Sequence, residues 1–211
     1  RLETVIRMPI FGHQGELLDA DGYHGSDYVY YEPTLETQID PISINPDEAE
    51  VGAARDFLLN DLLIDFPFAS NSDRAHAIAA LILPFARRLI DGCTPMHLAE
   101  AADPGSGKNL LVNAISVIAY GEECACRVMS AWDDEVRRMI TAELKTGRPM
   151  VLFDNLREQR LVDSPPLASV LTAVEWTDRP TGSSKTVTHA NKVLWLMTGN
   201  NVQLSHELNR R

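Results

Sequence analysis

The spacing of apolar positions divides the chain into three stretches. Up to about residue 45 the apolar runs are short and strand-like, "ETVIRMPIF" and "SDYVYYEP", and between them "DADGYHG" has the Asp-Gly spacing of turns. This predicts a small β-rich unit over 1–45. Over 46–93 the period becomes helical. Ala49, Ala53 and Phe57 recur four residues apart, with Asn45 as N-cap, Pro46 at the first helical position, and Asp47 and Glu48 at the positive helix end. A second run, "DRAHAIAALILPFARRLI", predicts a helix that starts after Ser72, kinks at Pro84 and stops near Gly92.

Over 94–211 the grammar alternates. Strand "PMHLAEA", loop "DPGSGK" and helix "NLLVNAISVIAYG" are followed by strand "CRVMSA", helix "DDEVRRMITAELKTG" and strand "RPMVLFDN". Then come helix "PPLASVLTAVEW" and strands "KTVTH" and "KVLWLMTGN". The alternation predicts an α/β fold: a parallel sheet core flanked by helices, preceded by the helical lead-in and the β unit.

Composition narrows the picture. With 45 % apolar residues in 211, the chain can bury one main core with an attachment. The longest apolar stretch, 77–86, is too short for a membrane span and holds Pro84, and no basic-then-apolar signal opens the chain, so the expectation is a cytoplasmic protein with no membrane partner. Cys93, Cys124 and Cys126 form neither an even framework nor a C-x-x-C pair, and the six histidines are scattered, so no zinc site is expected. A net charge of −11 argues against a general nucleic-acid coat but leaves room for a local basic patch. The opening at Arg1 and the ending "NRR" read as a piece of a longer protein.

Candidate chemistry starts at "AADPGSGKNLL". The phosphate-loop pattern G-x-x-x-x-G-K-[ST] fits it except at Ala102 and Asn109. In such a loop the backbone of Asp103, Pro104, Gly105, Ser106 and Gly107 curls around phosphates, the helix N-terminus adds its dipole, and Lys108 reaches the terminal phosphates. Asn109 replaces the hydroxyl that would touch Mg²⁺ and offers only an amide oxygen. The alternative is a plain glycine turn joining a strand to a helix. A second element, "MVLFDN", ends an apolar run on Asp154, as a magnesium-holding strand does, with Asn155 where a base would have to accept a proton. A third, "VLWLMTGNN", places Asn200, or else Thr198 or Asn201, at a strand end where it could bond a γ-phosphate or a water. Each has a bland counterpart in a strand running into a turn. Glu100, Glu122 and Glu175 are the carboxylates that could replace the missing base.

"DPGSGKNLL", "VLFDN", "WTDRPTGSSKTV", "LMTGNN" and "ELNRR" together resemble the ATPase module of phage and integrative-element replication proteins, close to AAA+ and superfamily 3 helicases and often joined to primases. The likeness spans about 47–211. It implies a P-loop NTPase that binds ATP and Mg²⁺ and assembles as a homo-oligomeric ring or filament. Lys108 would hold phosphate, Asp154 the metal, Asn200 would be the sensor, and Arg210 or Arg211 the finger reaching a neighbour's ATP, while Asn109, the second candidate metal ligand through its amide oxygen, and Asn155 depart from the AAA+ pattern. It also implies a hairpin between the second and third elements touching single-stranded DNA through Arg179, Lys185 and Lys192; an exposed loop with solvated cations is the other reading of that segment. Three functions stand: a DNA helicase or remodelling motor of a mobile element, a nucleotide-bound assembly module with little or no hydrolysis, and a small-molecule kinase. "TGNN" and "NRR" count against the kinase, which needs neither.

Overall fold

A computed structural model describes residues 2–33, 39–156, 161–182 and 184–211. The chain is mixed α/β, built on a four-stranded parallel sheet. Its strands are β6 (His97–Ala101), β7 (Cys126–Arg127), β8 (Met150–Leu156) and β12 (Leu194–Asn200), in the spatial order β6-β12-β8-β7. The elements between them are α3 (Lys108–Tyr120), α4 (Asp133–Thr146), β9 (Leu161–Val162), α5 (Pro165–Val170) and the antiparallel hairpin β10 (Glu175–Asp178) with β11 (Val187–Ala190).

Both faces of the sheet are covered, so its central strands are apolar throughout rather than alternating with polar residues. Met150, Leu152, Leu194 and Leu196 pack against Ala80 and Leu81 of α2 (Asn71–Ala86) and Val112 and Ile115 of α3. Their neighbours Val151, Phe153, Trp195 and Met197 face α4, α5 and Trp176. The rings of Phe153 and Trp195 stack at 6.2 Å.

At the start of β12, buried Asn191 satisfies every polar group it has. Its N–H donates to Val174, its side-chain NH₂ to Val170 and Ala173, its side-chain oxygen accepts from Trp195, and its carbonyl accepts from Arg87. One residue thereby joins α5, the hairpin, the sheet and the lead-in.

The lead-in differs from expectation at its boundaries. Helix α1 (Glu48–Phe57) is capped by Asp47 rather than Asn45, because Asp47 and Glu50 form a reciprocal capping box at 2.8 Å in each direction. Helix α2 starts at Asn71, since the Ser70 hydroxyl accepts the Asp73 N–H; it runs through Pro84 and yields to a 3₁₀ turn at Arg87–Leu89. The helix expected over 165–176 stops at Val170, because Trp176 gains more as a strand residue, its ring buried and its indole N–H on Thr141. Strand β7 is confined to Cys126 and Arg127, and Val128 is already 82 % exposed.

The N-terminal β unit comprises β1 (Thr4–Ile6), β2 (Ile10–Phe11), β3 (Leu17–Leu18), β4 (Gly22–His24) and β5 (Val29–Tyr31). Its own small core of Ile6, Ile10, Leu18, Val29 and Tyr31 receives Phe85 of α2. It docks on the end of the sheet where the strands begin. The Thr4 hydroxyl donates to Gly147 O at 2.8 Å, and Arg88 reaches Glu3 and Asp27 at 3.6 and 3.7 Å. No helix among the described residues is long and apolar enough to cross a membrane.

Gly147 ends α4 at φ +68°, and a Cβ there would stand 2.2 Å from the carbonyl oxygen of Glu3. Gly147→Ala should therefore lower the unfolding free energy by more than the ~1–2 kcal/mol of left-handed backbone alone. Gly52→Ala, in the middle of α1 with open space around it, should raise it by ~0.5–1 kcal/mol. Urea denaturation of both variants checks the contrast.

Candidate functional site

The ends of β6, β12 and β8 lie side by side, with Asn200 opposite Ala101 and Gly199 opposite Leu156. They bring the loop 102–107, Asn200 and Asp154 to one edge of the sheet, where the strand order turns and ligands of open parallel sheets sit. Gly105 and Gly107 have φ of +75° and +85°, and Gly107 is the left-handed N-cap of α3. Ala102 is not among the positive-φ residues, so its methyl is no obstacle to the turn. The first helical bond is Leu111 N–H to Gly107 O, which leaves the N–H groups of 108–110 outside the helix ladder. Phe66 lies beside this loop, 3.8 Å from where a Gly107 Cβ would be.

Lys108 crosses the loop. Its ammonium donates to Asn200 Oδ1 at 2.6 Å, Ser106 Oγ at 3.0 Å and the Asp103 carbonyl at 3.4 Å. All three acceptors are neutral, and no described carboxylate lies within ion-pair distance of it. The structure thus joins Asp103, Ser106, Gly107, Lys108 and Asn200 in one place.

Asp154 accepts from the Thr198 hydroxyl and, at 3.2 Å, from the Asn109 side-chain NH₂. Thr198 is buried and also accepts the Asn155 N–H at 3.0 Å, so it positions the end of β8 and does not face a ligand. Of the candidates Thr198, Asn200 and Asn201, Asn200 is the one on Lys108, while Asn201 donates to Ala102 O at 3.4 Å. Asn155 sits at φ +55°. That left-handed backbone suits asparagine and penalises glutamate.

Of the alternative carboxylates, Glu100 shares this edge but accepts the Val202 N–H at 2.7 Å; Glu122 lies past the far end of α3 and Glu175 at the hairpin base. Arg179 and Lys185 are exposed where β10 and β11 open into their connecting loop, which includes Ser183, outside the described residues. Lys192 is set apart from them, donating to Ile90 O at 2.8 Å.

Arg210 and Arg211 both pair with Glu207, Arg210 at 2.6 Å. The Arg211 carbonyl accepts the Met96 N–H at the start of β6. Ala102 is six residues further on, on the order of 20 Å along the strand, so within one chain the arginine pair lies away from its own loop. Burial pushes the Cys124 thiol up to about 12 and raises Cys126 too, which keeps both as thiols. His13, Glu16 and Asp27 gather in the β unit, a cluster that sequence spacing does not suggest. Asp27 already accepts from His13 N–H at 2.9 Å and Ser26 Oγ at 3.1 Å with Arg88 beside it, an ion-pair network rather than an open ligand set.

Sequence reading offers Thr198 only as a partner for phosphate or water and misses its bond to Asp154, and it misses Phe66, whose place by the loop follows only from how the lead-in packs. No protein-family model matches this sequence, and no curated protein matches it.

Thr198→Val would remove the buried hydroxyl that serves both the Asn155 N–H and one Asp154 oxygen and should cost ~1–3 kcal/mol. Asn155→Glu should cost about 1 kcal/mol while Asn155→Gly stays near neutral. Chemical denaturation measures all three.

Proposed function

We propose that residues 94–211 form an AAA+/superfamily 3-like P-loop core that binds ATP at the 103–109 loop. The observation that carries the reading is Lys108, an ammonium gathered over a positive-φ glycine loop by neutral oxygens alone, one of them from a residue 92 positions away. A plain turn before a helix needs no such cation. An incoming phosphate supplies the counter-charge that the ammonium lacks among the described residues, and the N-terminus of α3 adds its N–H groups. Asn200, already on Lys108, is placed to feel whether the terminal phosphate is present, and β12 carries that information into the core.

The donor set at Asp154 fits a hard cation such as Mg²⁺ held through water, because the Asn109 NH₂ faces the carboxylate rather than leaving an oxygen there. Bound there, Mg²⁺ would offset charge on the phosphates. Asn155 cannot accept a proton and Glu100 is engaged by Val202, so turnover is slow. This second observation favours nucleotide-held assembly as the alternative to a motor. The wider role, a DNA-remodelling or helicase module of a mobile genetic element acting as a homo-oligomer on single-stranded DNA, rests on the motif resemblance. The exposed Arg179 and Lys185 suit it, and the arginine pair would serve a neighbouring subunit's ATP.

Lys108→Ala should weaken ATP binding ~10- to 100-fold in calorimetry, the worth of one or more charge-assisted bonds; equal affinity overturns the site. Asn109→Thr should keep affinity and raise turnover of labelled ATP. That turnover, measured with and without single-stranded DNA, should rise with protein concentration and be poisoned by an Arg210→Ala/Arg211→Ala partner. A concentration-independent rate would leave nucleotide-gated binding as the function.

A further inference from the structure

At the end of the sheet opposite Asn200, a cavity of about 400 Å³ opens where β1, the 3₁₀ turn after α2, the end of α4 and the hairpin base meet. Arg87, Arg88, Lys145, Arg148 and Lys192 line it, against the carboxylates of Glu3 and Glu175. In a chain of net charge −11 this local excess of cations runs against the overall balance. Arg88 is neutralised by Glu3 and Asp27. The others have no such partner among the described residues.

Arg87 is the centre of the problem. It is only 4 % exposed, yet its guanidinium meets only the carbonyls of Ile90 at 3.1 Å and Asn191 at 2.9 Å. Its Nε–H finds no acceptor among the described residues, and no described carboxylate comes within ion-pair distance. The ammonium of Lys192 donates to the same Ile90 oxygen at 2.8 Å, which puts the two cations within about 6 Å of each other. Burial lowers the pKa of both, the neighbouring Arg87 charge lowers that of Lys192 further, and Asp91 and Glu3 offset it only in part. A buried cation without a counter-charge is costly, and a well-packed apolar residue would avoid that cost. An arginine whose Nε–H has no described acceptor, a lysine alongside and two more cations at the mouth together form a receptor for a multiply charged anion.

We infer that this cavity binds a small phosphate-bearing molecule of nucleotide size, with Arg87 and Lys192 on phosphate and Lys145 and Arg148 at the entrance. Its volume falls in the range of small-molecule sites. Because Glu3 and Thr4 of the β unit form part of the wall, an occupant would clamp that unit to the core. The site is separated from the 103–108 loop by the length of β12 and does not depend on what that loop binds.

The test uses Lys108→Ala protein, so that the loop cannot supply the signal, with sodium tripolyphosphate as probe in the absence of Mg²⁺. Tripolyphosphate should still bind in calorimetry and raise the melting temperature. Adding Lys192→Gln or Arg148→Gln should weaken it at least tenfold. Arg148 is exposed, so its variant keeps the test valid if loss of Lys192 disturbs folding, and unchanged urea midpoints identify the variants that remain folded. No binding to the Lys108→Ala protein, or undiminished binding in folded double variants, overturns the site. A short single strand that binds through Lys192 and Arg148 and is not displaced by tripolyphosphate would also overturn it, assigning the surface to nucleic acid.

Discussion

The structure depends on β12 being buried on both faces. Seven residues lie between β6 and β8 with helices above and below, and Leu194–Met197 are at most 2 % exposed, so the strand must be apolar there and every polar group must lie at its ends or be hydrogen-bonded. Asn191 closes one end with a full set of bonds. Thr198 and Asn200 close the other, the first on Asp154 and Asn155, the second on Lys108. The alternation along this strand also assigns the two cores, Leu194 and Leu196 to one side, Trp195 and Met197 to the other.

Charge follows the same axis. Several cations in this acidic chain are paired: Arg127 with Glu143, Arg137 with Asp178, Arg88 with Glu3 and Asp27, Arg210 and Arg211 with Glu207. Lys108 at one end of β12, and Arg87 with Lys192 at the other, are held by neutral oxygens instead. A paired cation is already satisfied, whereas one held by carbonyls and amides keeps most of its attraction for an anion. Both ends of one rigidly packed strand therefore lie beside cations held by neutral oxygens.

Much of the site was legible in the residue order because its parts are local. The strand, glycine loop and helix around Gly105, Gly107 and Lys108 need only near neighbours, and so do the glycine stops at Gly121 and Gly147, where the backbone turns left-handed. The run of apolar residues before Asp154 and before Asn200 marked both strands and their ends. Errors arose where long-range packing overrode local preference. Residues 174–176 continue a helical pattern, but the Trp176 indole and ring are better used against Thr141 and the core. Lys192 follows the hairpin in sequence, and only the docking of the lead-in turns it away onto Ile90.

The sequence by itself determined the alternation of elements, the two-sided burial of the central strands and the glycine loop with its lysine, because period, caps and turn chemistry act over a few residues. Tertiary structure alone decided that Asn109 faces Asp154, that Thr198 rather than a ligand occupies that carboxylate, that Asn155 takes a left-handed backbone, and that Arg87 is buried without a counter-charge. These facts depend on strand order, register and the seating of the β unit, which bring together residues 44 to more than 100 positions apart. No local preference encodes such a meeting, because the free energy that selects it comes from burying both faces of the sheet at once.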